Sequence, residues 1–436
     1  MPIAGRTAEQ EITGSSLSVP APASTSKFPL AALGAWLLVA VYYFYQYALR
    51  SSPSVMMPQL TGAFAVNALG VSAIVGMFYY GYSPFSLVAG ASMDRFGAKR
   101  VIPIGAALVG IGALLFGTGN VPAANIGRFL QGAGGAFALI GAVYLVTKNF
   151  PASMAASLIG ATQMFGMAGG SAGQFLVGPM IKGGLPWDRF WIYTGLIGLA
   201  LSVLLFALLP KEAPKAATGG WASVFVSLKT VLLNPQSVLC GLISGLLFIP
   251  TTIFGMTWGV RFLQEARGRE YETAVTLAAT LPLGWMIGCP LLGFISDRLG
   301  RRKPVIIGGA VVMLAVLAWI LFGDPKILRG PAVGILMGIA SGAAMLPYTV
   351  IKEANPPQLG GSATGIVNFL NFTFSALLGP VFGGRLVRAP DDTDVAALAH
   401  YQAGFKPLLY GIAIALVLAF FLKETGPATR KTQPAT

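Results

Sequence analysis

The side chain with the most informative chemistry is Arg50, which lies in an uncharged stretch rich in tyrosine. Tyr43 is followed three and four residues later by Gln46 and Tyr47, and Arg50 lies four and three residues beyond these two, so all four share one face of a helix. A guanidinium presents a planar fork of N–H donors that matches a carboxylate or a phosphate. This face is therefore suited to holding a small organic anion. The alternative is that the helix ends earlier and the arginine extends to a polar surface.

Other candidate binding residues are scattered along further apolar stretches: Arg128, Gln131, Gln163, Tyr348, Lys352, Asn368 and Asn371. Several of them have a structural alternative. Arg128 can hold its helix in place, the amides can bond between helices, and Lys352 can anchor a helix end at a charged boundary. No Asp or Glu lies in any of these stretches. A site with cations and no carboxylates attracts anions and repels cations.

The elements that must position these residues are membrane helices. The chain has 436 residues, of which 55% are hydrophobic and only 10% charged, against roughly 25% charged residues in a soluble domain. A helix needs about 20 apolar residues to cross a bilayer. The charge-free runs predict an all-α membrane protein with twelve spans at 29–58, 68–91, 101–118, 122–147, 154–181, 190–210, 236–262, 272–295, 304–323, 331–351, 360–386 and 405–422.

A charged turn occurs twice, after the second and the eighth span, with its aspartates 203 positions apart. The predicted gate residues are Gly90, Asp94, Arg95, Gly97 and Arg100 in the first copy, and Gly293, Asp297, Arg298, Gly300 and Arg301 in the second. Each aspartate is placed to cap the positive end of another helix, and the basic residues to form an ion-pair latch between two bundles. The alternative is a pair of tight turns required only by membrane topology.

On these two turns, and on Arg128-Phe-Leu-Gln131-Gly132-Ala-Gly134 in the fourth span, the chain resembles the major facilitator superfamily of secondary transporters. The resemblance covers residues 29 to 422 approximately. It implies two pseudo-symmetric six-helix bundles around a midplane site that is exposed alternately to each side. A first-span arginine after tyrosines also resembles the organic-anion branches of the superfamily, in which this arginine binds substrate.

The expected organisation is a disordered cytoplasmic tail (1–28), an N-terminal bundle (29–210), a linker with an amphipathic helix (211–235), a C-terminal bundle (236–422) and a second tail (423–436). The distribution of Lys and Arg favours cytoplasmic termini in an inner membrane. The net charge of +14 is explained by this bias and does not indicate nucleic acid. The expected partners are the bilayer, a small anionic substrate and a coupled or exchanged ion, and the protein is expected to be a monomer.

The predicted function is transport of a small organic anion, with a carboxylate as the favoured group, by alternating access. The absence of a carboxylate from the interior of the spans favours exchange or facilitated transport over carboxylate-based proton symport. The alternatives are a proton-coupled multidrug or metabolite exporter and a non-transporting membrane sensor. No phosphate-binding glycine loop, zinc pattern or catalytic triad is visible, so we expect no enzyme activity, cofactor or metal.

Overall fold

The computed structural model describes residues 30–150, 152–211, 221–324, 331–356, 359–387 and 394–430. The predicted disordered tail at 1–28 lies outside these residues. The described segments are helical and contain no strand. The helices are α1 (Leu30–Ser51), α2 (Met57–Phe64), α3 (Ala68–Phe96), α4 (Ala98–Phe116), α5 (Val121–Asn149), α6 (Ala152–Phe175), α7 (Val177–Lys182), α8 (Trp187–Leu208), α9 (Trp221–Leu232), α10 (Pro235–Pro250), α11 (Gly259–Glu265), α12 (Tyr271–Leu299), α13 (Lys303–Phe322), α14 (Pro331–Ser341), α15 (Leu346–Glu353), α16 (Gly360–Val387), α17 (Asp394–Phe421) and α18 (Pro427–Arg430).

Three irregular helical segments interrupt the α-helices. A 3₁₀ turn at Ser52–Val55 ends the first span after α1, whereas a π-helix at Thr251–Trp258 and a 3₁₀ turn at Gly342–Met345 each join two helices within one span. Among the described residues, nine helical runs are long and apolar enough to cross a membrane, and the bent pair α2 and α3 supplies a tenth. Helices α6 and α16 have 24 and 28 residues, so they too are of spanning length. The described residues thus form an all-α membrane protein with nine or ten candidate spans, and the lengths of α6 and α16 fit two more of the twelve that the sequence predicts.

The predicted spans agree with the helices to within a few residues, with two main exceptions. The first span was expected to run to residue 58, but α1 ends at Ser51 and a new helix, α2, begins at Met57. Prolines near the start of the 3₁₀ turn and of α2 cause this break, because proline lacks an N–H and favours a first helical turn. The last span begins at Asp394, eleven residues before its predicted start at 405.

The helices pack as two related halves. In the first half, α3 and α4 both contact α5, α4 contacts α8, and α1 contacts α6. In the second half, α12 contacts α14, α13 contacts α17, and α10 contacts α16. The halves meet along two seams, α3 against α16 and α6 against α12. Residues on α1, α3, α10 and α16 are therefore brought together at the centre.

Close backbone approach fixes the position of α3 against α5. A Cβ atom on Gly132 would collide with the carbonyl oxygen of Phe78, and one on Gly81 would collide with that of Phe129. The second half repeats this arrangement at Gly284, 203 positions after Gly81, which lies against the carbonyl of Ile335. Small residues at such crossings allow the helices to pack without a hydrophobic driving force.

Replacing Gly132 by alanine is expected to destabilise the protein by about 1–3 kcal/mol, because the new methyl group forces α5 away from α3. The measurement is the melting temperature of the purified protein in detergent. Gly34→Ala is the matched control, since nothing lies within 4 Å of a Cβ atom there. Equal melting temperatures for the two variants would contradict the prediction.

Candidate functional site

Arg50 lies at the centre of the molecule, near the end of α1, and its side chain is only 2% exposed. Five aromatic rings from four spans surround its guanidinium, and we call this set of rings the aromatic box. Measured from Cζ to the ring centroid, they are Tyr47 at 4.8 Å, Phe78 at 5.4 Å, Tyr79 at 4.9 Å, Phe248 at 5.8 Å and Phe372 at 4.8 Å. Ring faces attract a cation at these distances. The predicted alternative, an arginine extended to the membrane surface, is therefore wrong.

The box leaves most of the hydrogen-bonding capacity of Arg50 unused. Its Nε donates one long bond, 3.4 Å, to the hydroxyl of Tyr79. Its Nη1 and Nη2 atoms are buried and have no hydrogen-bond partner among the described residues. Buried polar groups are normally paired, and leaving them unpaired is costly. Two such donors on one cation mark a place where an anion fits.

Neutral polar groups of the first half lie next to Arg50 on the same helix. The Gln46 side chain is 1% exposed, and both its Oε1 and its Nε2 are without a partner. Tyr43 donates to Oε1 of Gln163 at 2.9 Å, and Nε2 of Gln163 reaches Sδ of Met345 at 3.5 Å. The predicted face of the first span is thus present, and Gln163 connects it to the second half.

The second half contributes a cluster of one phenol and two amides. Tyr348 donates to Oδ1 of Asn368 at 3.0 Å, and Nδ2 of Asn371 donates to the Tyr348 hydroxyl at 3.4 Å. Nδ2 of Asn368 and Oδ1 of Asn371 remain without partners. Asn371 is adjacent in sequence to Phe372, one of the rings of the aromatic box. Three of the candidate residues of the tenth and eleventh spans, Tyr348, Asn368 and Asn371, are therefore brought together near Arg50.

Arg128 has a different environment from Arg50. Its Nη1 donates to the carbonyl of Leu49 at 3.3 Å and to Oε1 of Gln131 at 2.6 Å, and its Nε donates to the carbonyl of Val75 at 3.4 Å. These bonds tie the fourth span to the backbone of the first and second spans. The geometry favours the scaffold interpretation for Arg128 and Gln131. Arg128 and Arg50 both contact the ring of Phe78, but only Arg50 has terminal donors without a partner.

Lys352 is exposed on α15, one helical turn beyond Tyr348 toward the side of the termini. No hydrogen bond or ion pair of this side chain occurs among the described residues. Its neighbour Glu353 instead accepts from Arg302 at 3.0 Å. Lys352 is therefore separate from the buried cluster, and its part in binding stays a prediction.

The ion pairs of the second charged turn lie within one half. Arg302 contacts both Asp297 and Glu353, all in the second half. The guanidinium of Arg298 lies over Phe294 of its own helix, at 5.0 Å. The sequence predicted an ion-pair latch between the two bundles. In this conformation the pairs of the second turn do not form one, because their partners are neighbouring helices of the same half. The side chains of Asp94 and Arg95 lie outside the described residues.

The lysines that follow the two turns have a matching role. Lys99 donates to the carbonyl of Leu209 at 2.6 Å, just beyond the end of α8. Lys303 donates to the carbonyl of Phe420 at 2.6 Å, at the end of α17. A cation there satisfies carbonyls that have no partner within the helix and interacts favourably with the negative end of its dipole.

The other gate residues fit tight turns. Gly97 and Gly300 have φ values of 78° and 62°, Gly90 and Gly293 have open space around them, and Arg100 and Arg301 are exposed.

The side opposite the termini is closed by bonds between the halves. Tyr271 donates to the carbonyl of Val55 at 2.6 Å, Nε2 of Gln174 donates to the carbonyl of Gly255 at 2.8 Å, and Lys182 pairs with Glu272 at 2.6 Å. Among the described residues, the hydrogen bonds between the halves lie from the middle of the spans to this side.

Sequence reasoning missed four of the five rings of the aromatic box, since only Tyr47 was a candidate. Phe78, Tyr79, Phe248 and Phe372 lie in apolar runs that contain many aromatic residues. The aromatic cluster at 78–82 was the available signal, but it does not say which ring faces Arg50. Among the described residues no group of His, Cys, Asp and Glu is arranged to hold a metal ion.

These features define a helical membrane protein with two related halves and a buried polar centre between them. Residues 39–380 match the Major Facilitator Superfamily, and the chain belongs to this family. It is a multi-pass membrane transporter.

Two relatives and one solved structure show how far the similarity extends. The chain is 27% identical over 358 residues to the hexuronate transporter of Bacillus subtilis (strain 168), covering 77% of this chain and 82% of the relative. It is 23% identical over 349 residues to the probable sulfoacetate transporter SauU of Cupriavidus necator, covering 72% and 78%. The fold is similar to that of a bacterial homolog of the human lysosomal transporter Spinster in an inward-facing, unoccupied conformation, with a TM-score of 0.73 and 14% identity over 91% of this chain and 98% of that chain.

Proposed function

We propose that this transporter carries a small organic anion with a single acid group, a hydroxylated monocarboxylate being the best match. The observation that carries the proposal is the buried Arg50, whose Nη1 and Nη2 donors are unpartnered. A carboxylate accepts two such donors side by side, in the paired geometry that guanidinium groups favour. Both relatives named above support an organic anion as substrate, and the hexuronate of the first is a hydroxylated monocarboxylate.

The preference for one acid group follows from the cations at the centre. Arg50 has free donors, whereas the described bonds of Arg128 go to backbone carbonyls and to Gln131. A second carboxylate would therefore be buried without a cation to pair with, which costs several kcal/mol or shifts its protonation.

The preference for hydroxyl groups follows from the unpartnered amide atoms. Gln46 offers a donor and an acceptor, Asn368 a donor, and Asn371 an acceptor. Hydroxyl groups serve both kinds of partner, because each one donates and accepts. An unsubstituted aliphatic acid leaves these buried atoms unpaired and is expected to bind more weakly.

We propose an exchange or facilitated mode of transport, with substrate exposed alternately to each side. Every acidic residue in a described spanning helix lies within three residues of an end of that helix or helical run. No carboxylate is thus available at the centre for proton symport or for binding a cation. The aromatic box is filled by Arg50, which repels cationic drugs, so a multidrug exporter fits less well. A membrane sensor would bind the same anion but fail to exchange it.

The proposal also keeps the predicted organisation: bundles at 29–210 and 236–422, a linker at 211–235, cytoplasmic termini, an inner-membrane location and a monomer. Supporting it, α9 lies in the linker and exposes Phe225 and Val226 beside the membrane region. The second tail at 423–436 is described only as far as residue 430.

The test is uptake into proteoliposomes preloaded with unlabelled substrate. We expect a labelled hexuronate to enter saturably, and a matched deoxy acid or dicarboxylate to compete at least about tenfold more weakly, the value of one lost charged or buried hydrogen bond. A labelled organic cation is expected not to enter. Uptake of the cation but not of any carboxylate would overturn the proposal. Binding of the hexuronate without exchange would favour the sensor.

A further inference from the structure

A cavity lies in the C-terminal half, away from Arg50 and near the side opposite the termini. The room inside it for the centres of water-sized molecules is about 50 Å³, and the space out to the opening, open solvent included, is about 590 Å³. The lining is apolar except for two arginines, and it consists of Phe254, Phe262, Leu263, Leu277, Ala278, Leu281, Ile320, Val333, Gly334, Arg267 and Arg269. Leu263, Leu277 and Val333 are partly exposed and mark its open side.

Arg267 lies in the turn between α11 and α12 and points its guanidinium toward the end of α13. Its Nη2 donates to the carbonyls of Ile320 and Leu321, each at 2.8 Å. Its Nε is buried and has no hydrogen-bond partner among the described residues. Burial lowers the pKa of Arg267, and the positive charge of the nearby Arg269 lowers it further. The negative charge of Asp324 raises this pKa, but not enough to cancel the other two effects. A negative group at this point would therefore be stabilised.

The cavity changes from charged to apolar with depth in the membrane. Arg267 precedes the first residue of α12, whereas Leu281 lies ten residues into that helix. At 1.5 Å per residue this places Leu281 about 15 Å below the helix start. A cationic rim above an apolar interior matches a molecule with an anionic head and a hydrocarbon chain.

We propose that this cavity binds an anionic phospholipid from the leaflet opposite the termini, with its phosphate at Arg267 and part of one acyl chain among the apolar residues. The lipid phosphate accepts from Nε of Arg267, which satisfies the buried donor. The acyl chain covers the partly exposed Leu263, Leu277 and Val333. This site is distinct from the substrate centre and does not depend on which substrate is transported.

The experiment is native mass spectrometry of the purified full chain titrated with phosphatidylglycerol or with phosphatidylcholine of the same acyl chains. We expect one phosphatidylglycerol to be retained. Phosphatidylcholine has the same phosphate, but its choline cation makes it neutral and is repelled by Arg267 and Arg269, so we expect it to bind at least about tenfold more weakly. Arg267→Gln is expected to reduce phosphatidylglycerol binding by a similar factor. Arg261→Gln is the matched control, because Arg261 pairs with Glu265 and does not line the cavity.

A second variant guards against a folding defect, since Arg267 also caps α13. Val333→Phe fills the open side without changing charge, and we expect it to weaken retention of phosphatidylglycerol while the melting temperature of the delipidated protein is kept. Equal binding of the two lipids, or unchanged phosphatidylglycerol binding in both Arg267→Gln and Val333→Phe, would show that the cavity is an empty void or holds only detergent, and would overturn the proposal.

Discussion

Replacing Arg50 by glutamine is expected to abolish transport and to reduce substrate affinity by a factor of 100 or more. The variant removes the two unpartnered donors and the positive charge at the centre of the aromatic box. A charged hydrogen bond contributes about 1.5–3 kcal/mol, and Arg50 can make two to one carboxylate, so losing both costs at least about 3 kcal/mol. The measurements are exchange in proteoliposomes and substrate-induced thermal stabilisation.

Arg50→Lys separates the effect of charge from that of geometry. A lysine keeps the positive charge but not the planar pair of donors, so we expect intermediate affinity, about tenfold to a hundredfold weaker than with arginine. This series, in which lysine lies between arginine and glutamine, is the signature of a direct contact with an anion.

Arg189→Gln is the control for the loss of one positive charge, because Arg189 is exposed at the start of α8 and far from the centre. It is expected to transport normally. Because ligand-free Arg50→Gln has no unpaired guanidinium to bury, we expect it to stay folded while its stabilisation by substrate disappears. Normal transport by Arg50→Gln would remove Arg50 from the substrate site.

Exchange of labelled for unlabelled substrate is expected to be at least about tenfold faster than net uptake into empty vesicles. In the loaded centre the anion pairs with Arg50 and compensates its charge. The empty centre carries an uncompensated guanidinium, with no carboxylate in the middle of a described span to balance it. Moving one charge against 100 mV costs about 2.3 kcal/mol, and 1.4 kcal/mol is a factor of ten in rate.

The membrane potential supplies the control for this prediction. An inside-negative potential opposes the return of the empty, positively charged carrier to the outside, so net uptake is expected to slow as the potential rises. Exchange is expected not to respond, because the charge of Arg50 is paired with that of the anion in both of its half-steps. The measurement is initial uptake at potentials set with potassium and valinomycin. Net uptake that is as fast as exchange and insensitive to potential would mean that a proton or another cation accompanies the substrate.

The cluster on the first span was predictable because its determinants are local. Spacing of three and four residues places Tyr43, Gln46, Tyr47 and Arg50 on one helix face whatever the rest of the chain does. The rings that close the aromatic box were not predictable, because which residues of the second span face Arg50 depends on the rotation of that helix. Tyr79 is buried against Arg50, whereas Tyr80, the next residue, is 40% exposed.

The two arginines of the N-terminal half show the same limit. In sequence, Arg50 and Arg128 are both single cations in apolar runs, and nothing local distinguishes a binding residue from a structural one. Arg128 donates to the carbonyls of Leu49 and Val75, so its guanidinium holds three helices together. Arg50 is surrounded by aromatic rings, which offer no strong hydrogen-bond acceptor, so its Nη1 and Nη2 donors remain available to another molecule.

By itself, the sequence determined the membrane spans, the duplication, the family and the tyrosine–arginine face. Hydropathy and helical periodicity act over short stretches of sequence, and the duplication is visible directly in the two copies of the charged turn. Only the tertiary structure decided what surrounds Arg50, that Lys99 and Lys303 cap neighbouring helix ends, and that Asp297 pairs within its own half. Such contacts join residues from separate spans, and they are set by how the helices pack.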